Sequence, residues 1–92
     1  MLTLKTTTKF NRDLKLIKKR GYNIKKLEVI VNKLLREETL EAKYKDHKLS
    51  GEYEGCRECH IEPDWLLVYY VENDILTLTL SRTGTHSDLF NE

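Results

Sequence analysis

The chain has 92 residues, with one proline, one tryptophan, four glycines, two cysteines and a single methionine, which is Met1. It has no apolar run near the ~20 residues a membrane-spanning helix needs; the longest near-continuous one is Trp65 to Val71. The start of the chain, Met1-Leu2-Thr3-Leu4-Lys5 followed by Thr6-Thr7-Thr8-Lys9, lacks the basic, apolar and small-residue order of a secretion signal. A cytoplasmic protein with no membrane partner is therefore expected. There is no internal repeat, low-complexity tract or linker, so residues 1–92 are expected to form one domain. That length is too short for a separate cofactor domain, yet long enough to fold without a metal or disulfide staple. Fold and site must share one small core.

Scarce cysteine also bears on the string Cys56-Arg57-Glu58-Cys59-His60, which has the C-x-x-C-H spacing of covalent haem attachment and can open a zinc site. If residues 53 to 61 form a strand, Cys56 and Cys59 project from opposite faces and cannot grip one ion or one porphyrin edge. A haem would further lack a methionine ligand, and a zinc ion a clear fourth one. The expectation is no metal or other cofactor. Both thiols are expected to be reduced, with Cys59 a small core residue and Cys56 exposed.

Net charge is only +1, but the charge is unevenly distributed. Residues 1–48 carry fourteen Lys and Arg against six Asp and Glu, and residues 49–92 carry two against nine. Lys15, Lys18, Lys19, Lys25 and Lys26 thus make a basic first half. They suit a phosphate-rich partner such as RNA, or simply solvate two exposed helix faces.

Periodicity predicts a β-α-α-β-β-β order. Leu2 and Leu4 alternate as in a short strand, and the Thr6-Thr7-Thr8 run offers an N-cap to a helix bearing Phe10, Leu14 and Ile17, which Gly21 stops. Asn23 can cap a second helix whose Ile24, Leu27, Val31 and Leu34 make one stripe ending near Arg36. Two such stripes need a sheet to bury them. Residues 37–53 are polar and non-periodic, a long connection that contains His47. Strands are expected over 53–61, 65–71 and 75–81, with turns at Glu62-Pro63-Asp64 and Glu72-Asn73-Asp74. The 65–71 strand is apolar on both faces and should be central. Arg82 shares parity with Leu76, Leu78 and Leu80, so the last strand must end or twist before it to keep the guanidinium out of the core.

The three histidines each sit in a polar cluster: Lys45-Asp46-His47, Cys59-His60-Ile61-Glu62-Pro63-Asp64 and Arg82-Thr83-Gly84-Thr85-His86. Imidazole is the side chain best suited to proton transfer near neutral pH, and here it accompanies a carboxylate, a guanidinium and the aromatics Trp65 and Phe90. Taken singly, each histidine is more readily a surface or hydrogen-bonded core residue than a catalyst.

Three blocks, Lys45-Asp46-His47-Lys48-Leu49-Ser50-Gly51, Arg57 through Tyr69, and Arg82 through Phe90, resemble the bacterial YafQ-like toxins of the RelE/ParE superfamily. The resemblance runs over nearly the whole chain. It implies an α+β, RelE-like fold with two N-terminal helices packed on a small, mainly antiparallel sheet. The implied activity is ribosome-dependent cleavage of messenger RNA in the A site, with adenine-rich codons expected. The implied chemistry is attack of a ribose 2′-hydroxyl on the adjacent phosphate under acid–base catalysis. It also implies that His47, His60, Asp64 and His86 are the acid–base set, with Asp64 and His86 the principal pair, and that Arg82 stabilises the phosphorane. Trp65 and Phe90 are candidates to stack on or wedge against bases, Trp65 being equally suited to the core. The lysines would face ribosomal RNA. The implied partner is a ribbon-helix-helix, DinJ-like antitoxin, with operator DNA reached only through that complex. Two other classes stay open: a ParE-like gyrase poison, which does not need a His/Asp/Arg constellation, and a non-enzymatic interaction domain.

Overall fold

The computed structural model describes residues 1–90. Strand β1 (Thr3–Thr6) leads into helix α1 (Thr8–Lys19), where the Thr7 side chain caps the first turn by accepting from the Phe10 amide at 3.0 Å. Arg20 closes that helix and Gly21 follows at φ 85°, a left-handed position that suits glycine, with the Tyr22 amide donating to the Ile17 carbonyl. Asn23 caps helix α2 (Ile24–Leu35) through the Lys25 amide. Both caps and both stripes fall where the residue pattern puts them.

The sheet has five strands in the order β1-β5-β4-β3-β2. These are β2 (His47–Lys48), β3 (Arg57–Glu62), β4 (Trp65–Glu72) and β5 (Thr77–Gly84), followed by a short helix α3 (His86–Phe90). Only β1 and β5 run parallel; the other pairs are antiparallel. The expected α+β architecture is the one observed, with β4 near the centre and buried from Trp65 through Tyr69.

Four details differ from the periodic reading. The connection before β3 is not structureless, because His47 and Lys48 pair with Glu58 and Arg57 as a two-residue edge strand. Strand β3 begins at Arg57 rather than Tyr53, since Gly51–Tyr53 turns as a 3-10 segment and Gly55 takes φ 91°. Ile75 and Leu76 are exposed turn residues, Leu76 at φ 48°, so β5 starts two residues late. The last strand runs on to Gly84 rather than ending at Ser81, and of the two expected ways of keeping Arg82 out of the core it takes the twist. Tyr69 pairs with Leu80 while Val68 pairs with Arg82, so Ser81 is an extra residue, a β-bulge. Leu78 and Leu80 stay on the helix-covered face, and Arg82 is passed to the other one.

The two faces of the sheet are filled differently. Phe10, Ile17, Leu27, Ile30, Val31 and Leu34 from the helices pack on Trp65, Leu67, Tyr69, Leu78 and Leu80. On the opposite face Leu66 and Val68 form a small apolar patch capped by Leu89 of α3, with Leu49, Tyr53, Cys56 and Phe90 at its margin. Cys59 belongs to the first cluster and Cys56 to the margin of the second, so the two thiols do project oppositely. Cys56 is half-buried rather than exposed. No helix among the described residues is long and apolar enough to cross a membrane.

Candidate active site

Strand register assembles the candidate residues. His47 lies opposite Glu58, Glu58 opposite Val68, and Val68 opposite Arg82, one row crossing β2, β3, β4 and β5. In the neighbouring row His60 lies opposite Leu66, which lies opposite Gly84. With strands ~4.8 Å apart, two spacings put Arg82 and Glu58 on the order of 10 Å from each other across the Val68 patch. The rings of His47 and His60 have centroids 6.3 Å apart, and those of His60 and His86 5.6 Å apart. Residues scattered over forty positions therefore share one face.

Each ring is held. His47 Nδ1 lies 2.7 Å from the carbonyl of Lys45, a residue at the left-handed φ of 49°. The Nε2 atoms of His47 and His60 lie 3.5 and 3.4 Å from Oε1 of Glu58, whose side chain is 6% exposed. His86 meets Asp64 twice: its amide donates to Oδ1 at 2.8 Å and its Nδ1 lies 2.6 Å from the same oxygen. These bonds from the His86 backbone and ring hold the Asp64 carboxyl below the usual carboxylate range. An ionised carboxylate only accepts, so Nδ1 of His86 carries the hydrogen, and Nε2 makes no hydrogen bond among the described residues.

Arg82 is fixed from α1. Its Nε and Nη2 donate to Asp13 at 2.7 and 3.1 Å, Asp13 also accepts from the Thr83 amide, and Nη1 lies 3.4 Å from the Tyr53 hydroxyl. The Asp13 bonds raise the guanidinium further above its already high range. Tyr53 in turn meets Phe90 edge-on at 5.6 Å. The segment carrying His86 is anchored by Asp88, which accepts from Arg20 at 2.7 and 3.1 Å and from the Thr85 amide at 2.9 Å. Those bonds, Arg20 first, hold the Asp88 carboxyl down at about 2.

His47, His60, Asp64, Arg82, His86 and Phe90 are thus gathered around one patch. Trp65 is not available to a base. Its ring is fully buried on the helix-covered face, where Nε1 donates to Thr83 Oγ1 at 2.9 Å and Tyr22 packs edge-on at 5.1 Å, so it is a core residue. Lys15, Lys18, Lys19, Lys25 and Lys26 are all exposed on α1 and α2. Of these only Lys26 lines a cavity together with His60. Glu58, Asp13 and Tyr53 were missed. Glu58 had a signal, its parity with His60; Asp13 had one too, as the only acidic residue of an otherwise basic α1.

Among the described residues no group of three or more His, Cys, Asp or Glu is disposed to hold a metal ion. Burial pushes the Cys59 thiol up to about 12, which leaves it inert as a nucleophile.

A family model described as a bacterial toxin of type II toxin–antitoxin systems, YafQ, matches residues 2–91. The chain belongs to this family. The mRNA interferase toxin YafQ of Escherichia coli (strain K12) is 40% identical over 82 residues, which cover 88% of this chain and 87% of that protein. Among solved structures, a metal-bound toxin from Helicobacter pylori superposes with a TM-score of 0.92 at 48% identity, over 98% of this chain and 100% of the other. The toxin of the Escherichia coli DinJ–YafQ complex does so at 0.89 and 36% identity, over 98% and 99%.

Proposed function

We propose that this chain is the toxin of a type II toxin–antitoxin pair, an endoribonuclease that cuts messenger RNA in the ribosomal A site. The observation that carries the reading is the His86–Asp64 pair set 5.6 Å from His60 beside a locked arginine. Asp64 orients His86 and fixes its tautomer, so Nε2 of His86 is the atom that gives or takes a proton, and Asp64 is its positioning residue. His47 and His60, turned toward the shared Glu58, supply the complementary group on the other side of the scissile phosphate. Each such proton transfer contributes roughly 10²- to 10⁴-fold. Arg82 presents Nη1, its edge not taken by Asp13, to the charge that develops on the phosphorane. Phe90, half-exposed against Tyr53, wedges or stacks a base beside the cut.

The partner is a DinJ-like antitoxin, which the Escherichia coli DinJ–YafQ complex supports; in this reading it is a ribbon-helix-helix protein, and operator DNA is reached only through its complex with the toxin. An acidic antitoxin segment across Lys15, Lys18, Lys19, Lys25 and Lys26 would compete with ribosomal RNA for the basic face. The working compartment is the cytoplasm, where ribosomes are. The test is to map cut sites on translated messages after a pulse of expression, beside protein-free RNA of the same sequence. Cuts in frame on translated messages, absent with His86→Ala, are expected. Efficient cutting of protein-free RNA at the same sites contradicts the ribosome dependence.

A further inference from the structure

A cleft of about 470 Å³ adjoins the site, lined by Lys26, Val29, Lys43, Tyr44, Lys45, His60, Ile61, Glu62 and Pro63. It is formed where the middle of α2, the 3-10 turn Ala42–Tyr44 and the end of β3 meet. Two of its lining residues tie it to the candidate chemistry: His60 directly, and Lys45 through the carbonyl that meets His47 Nδ1 at 2.7 Å. Resting on the reading proposed above, we infer that this cleft is a nucleotide subsite, which takes one base and its phosphate from the RNA strand next to the scissile bond.

Three features fit that occupant. The volume lies within the range of small-molecule sites and is ample for a single nucleotide. Val29, Ile61, Pro63 and the Tyr44 ring, over which Lys33 also stands at 5.9 Å, make an apolar wall, and an aromatic side chain beside a basic channel is the usual support for an unpaired base. The cations are placed for a phosphate. Lys43 stands 5.2 Å from the Tyr44 ring centre, and its exposed pairing with Glu41 at 3.9 Å is readily exchanged. Lys45 is exposed on the same rim. The one carboxylate in the lining, Glu62, is already met by Lys26 at 2.8 Å, so it opposes an incoming phosphate less than a bare one would. A strand seated here passes His60 on its way to the His86–Asp64 pair, so the cleft sets which flanking base is accepted and not how fast the proton moves.

The probe is a trinucleotide with 2′-deoxy sugars, which lacks the attacking hydroxyl, titrated into the full-length chain and followed by NMR. Shifts at Val29, Tyr44 and Ile61 are expected, with binding at least about tenfold weaker in the double variant Lys43→Gln/Lys45→Gln. On translated messages the double variant should raise KM about tenfold with a smaller change in kcat, and Tyr44→Leu should flatten the base preference at one position flanking the cut. The lysine pair is exposed, so its variant folds even if Tyr44→Leu does not. Shifts confined to His60, His86 and Phe90 overturn the subsite. So does a double variant that cuts with wild-type pattern and KM but binds the antitoxin more weakly, which assigns the cleft to an acidic peptide. If the wild type fills the cleft with the trinucleotide yet cuts no message, the subsite stands and the nuclease reading fails.

Discussion

The two faces of one sheet are built on opposite principles. The helix-covered face is apolar and deep, and the polar tips of its buried aromatics are satisfied, Nε1 of Trp65 by Thr83 and the Tyr69 hydroxyl by Asp46. The other face has a small apolar cluster, Leu66, Val68 and Leu89, surrounded by half-buried or exposed imidazoles and by ion pairs, with Glu58 the buried carboxylate among them. Stability resides on the first face and candidate chemistry on the second. Strand β4 serves both, because alternate residues of one apolar run go to different clusters. The two faces are therefore separable by mutation.

The largest effect is expected on the helix face. Trp65→Ala removes a fully buried indole and takes one donor from the Thr83 hydroxyl, which keeps its own bond to the Leu66 carbonyl, and should cost about 3–5 kcal/mol, read as a fall in the urea midpoint. A loss under about 1 kcal/mol would show that the ring is not part of the core. Next, on the site face, His86→Ala should lower cleavage by roughly 10²- to 10⁴-fold while costing about 1 kcal/mol or less of stability. Retained growth arrest in a folded His86→Ala protein removes this residue from the mechanism.

Arg82→Ala blurs the division. The residue lies within β5 and satisfies Asp13, whose side chain is 13% exposed, so its loss should cost roughly 1.5–3 kcal/mol as well as activity, more than a position beyond the last strand would. Arg82→Ala combined with Asp13→Asn should recover part of that stability and none of the cleavage. Recovery of both would make the arginine structural alone. The smallest effect concerns pH. With its carboxyl held at about 2 by Arg20, Asp88 stabilises the fold above its unfolded value near 3.8, and that contribution is lost as pH falls from 3.8 toward 2. Asp88→Asn should be flatter than wild type over that window by under about 1 kcal/mol, since the pair is screened by solvent. A wild-type acid profile that Asp88→Asn leaves unchanged would remove the Arg20 pairing from the anchoring of α3.

How much of this was legible in the residues depended on range. Caps at Thr7 and Asn23, the stop at Gly21 and the central β4 were local signals, and all of them held. The parity of His60 with Glu58 placed both on one face correctly. Arg82 could not be placed that way, since a bulge adds one residue without leaving a mark in the hydrophobic pattern. The strand character of His47 rests on pairing with Glu58 eleven positions away, and the burial of Trp65 on the side chain of Tyr22; no local period reports either. Asp13 was hidden among lysines because its partner lies 69 residues on.

Thr7 uses its hydroxyl in two directions. While its oxygen accepts from Phe10, the same group donates to the carbonyl of Ser81, the bulged residue, at 2.7 Å. One oxygen thereby joins the start of α1 to the kink that turns Arg82, so the helix that carries Asp13 and the strand that carries its partner are aligned through a shared atom. Aspartate, as good an N-cap in isolation, has no proton to offer when ionised and would set a second acceptor against that carbonyl. Serine preserves the joint and aspartate breaks it. Position 7 is thus held to a narrower alphabet than helix capping alone requires, and the restriction comes from a guanidinium on the far side of the sheet.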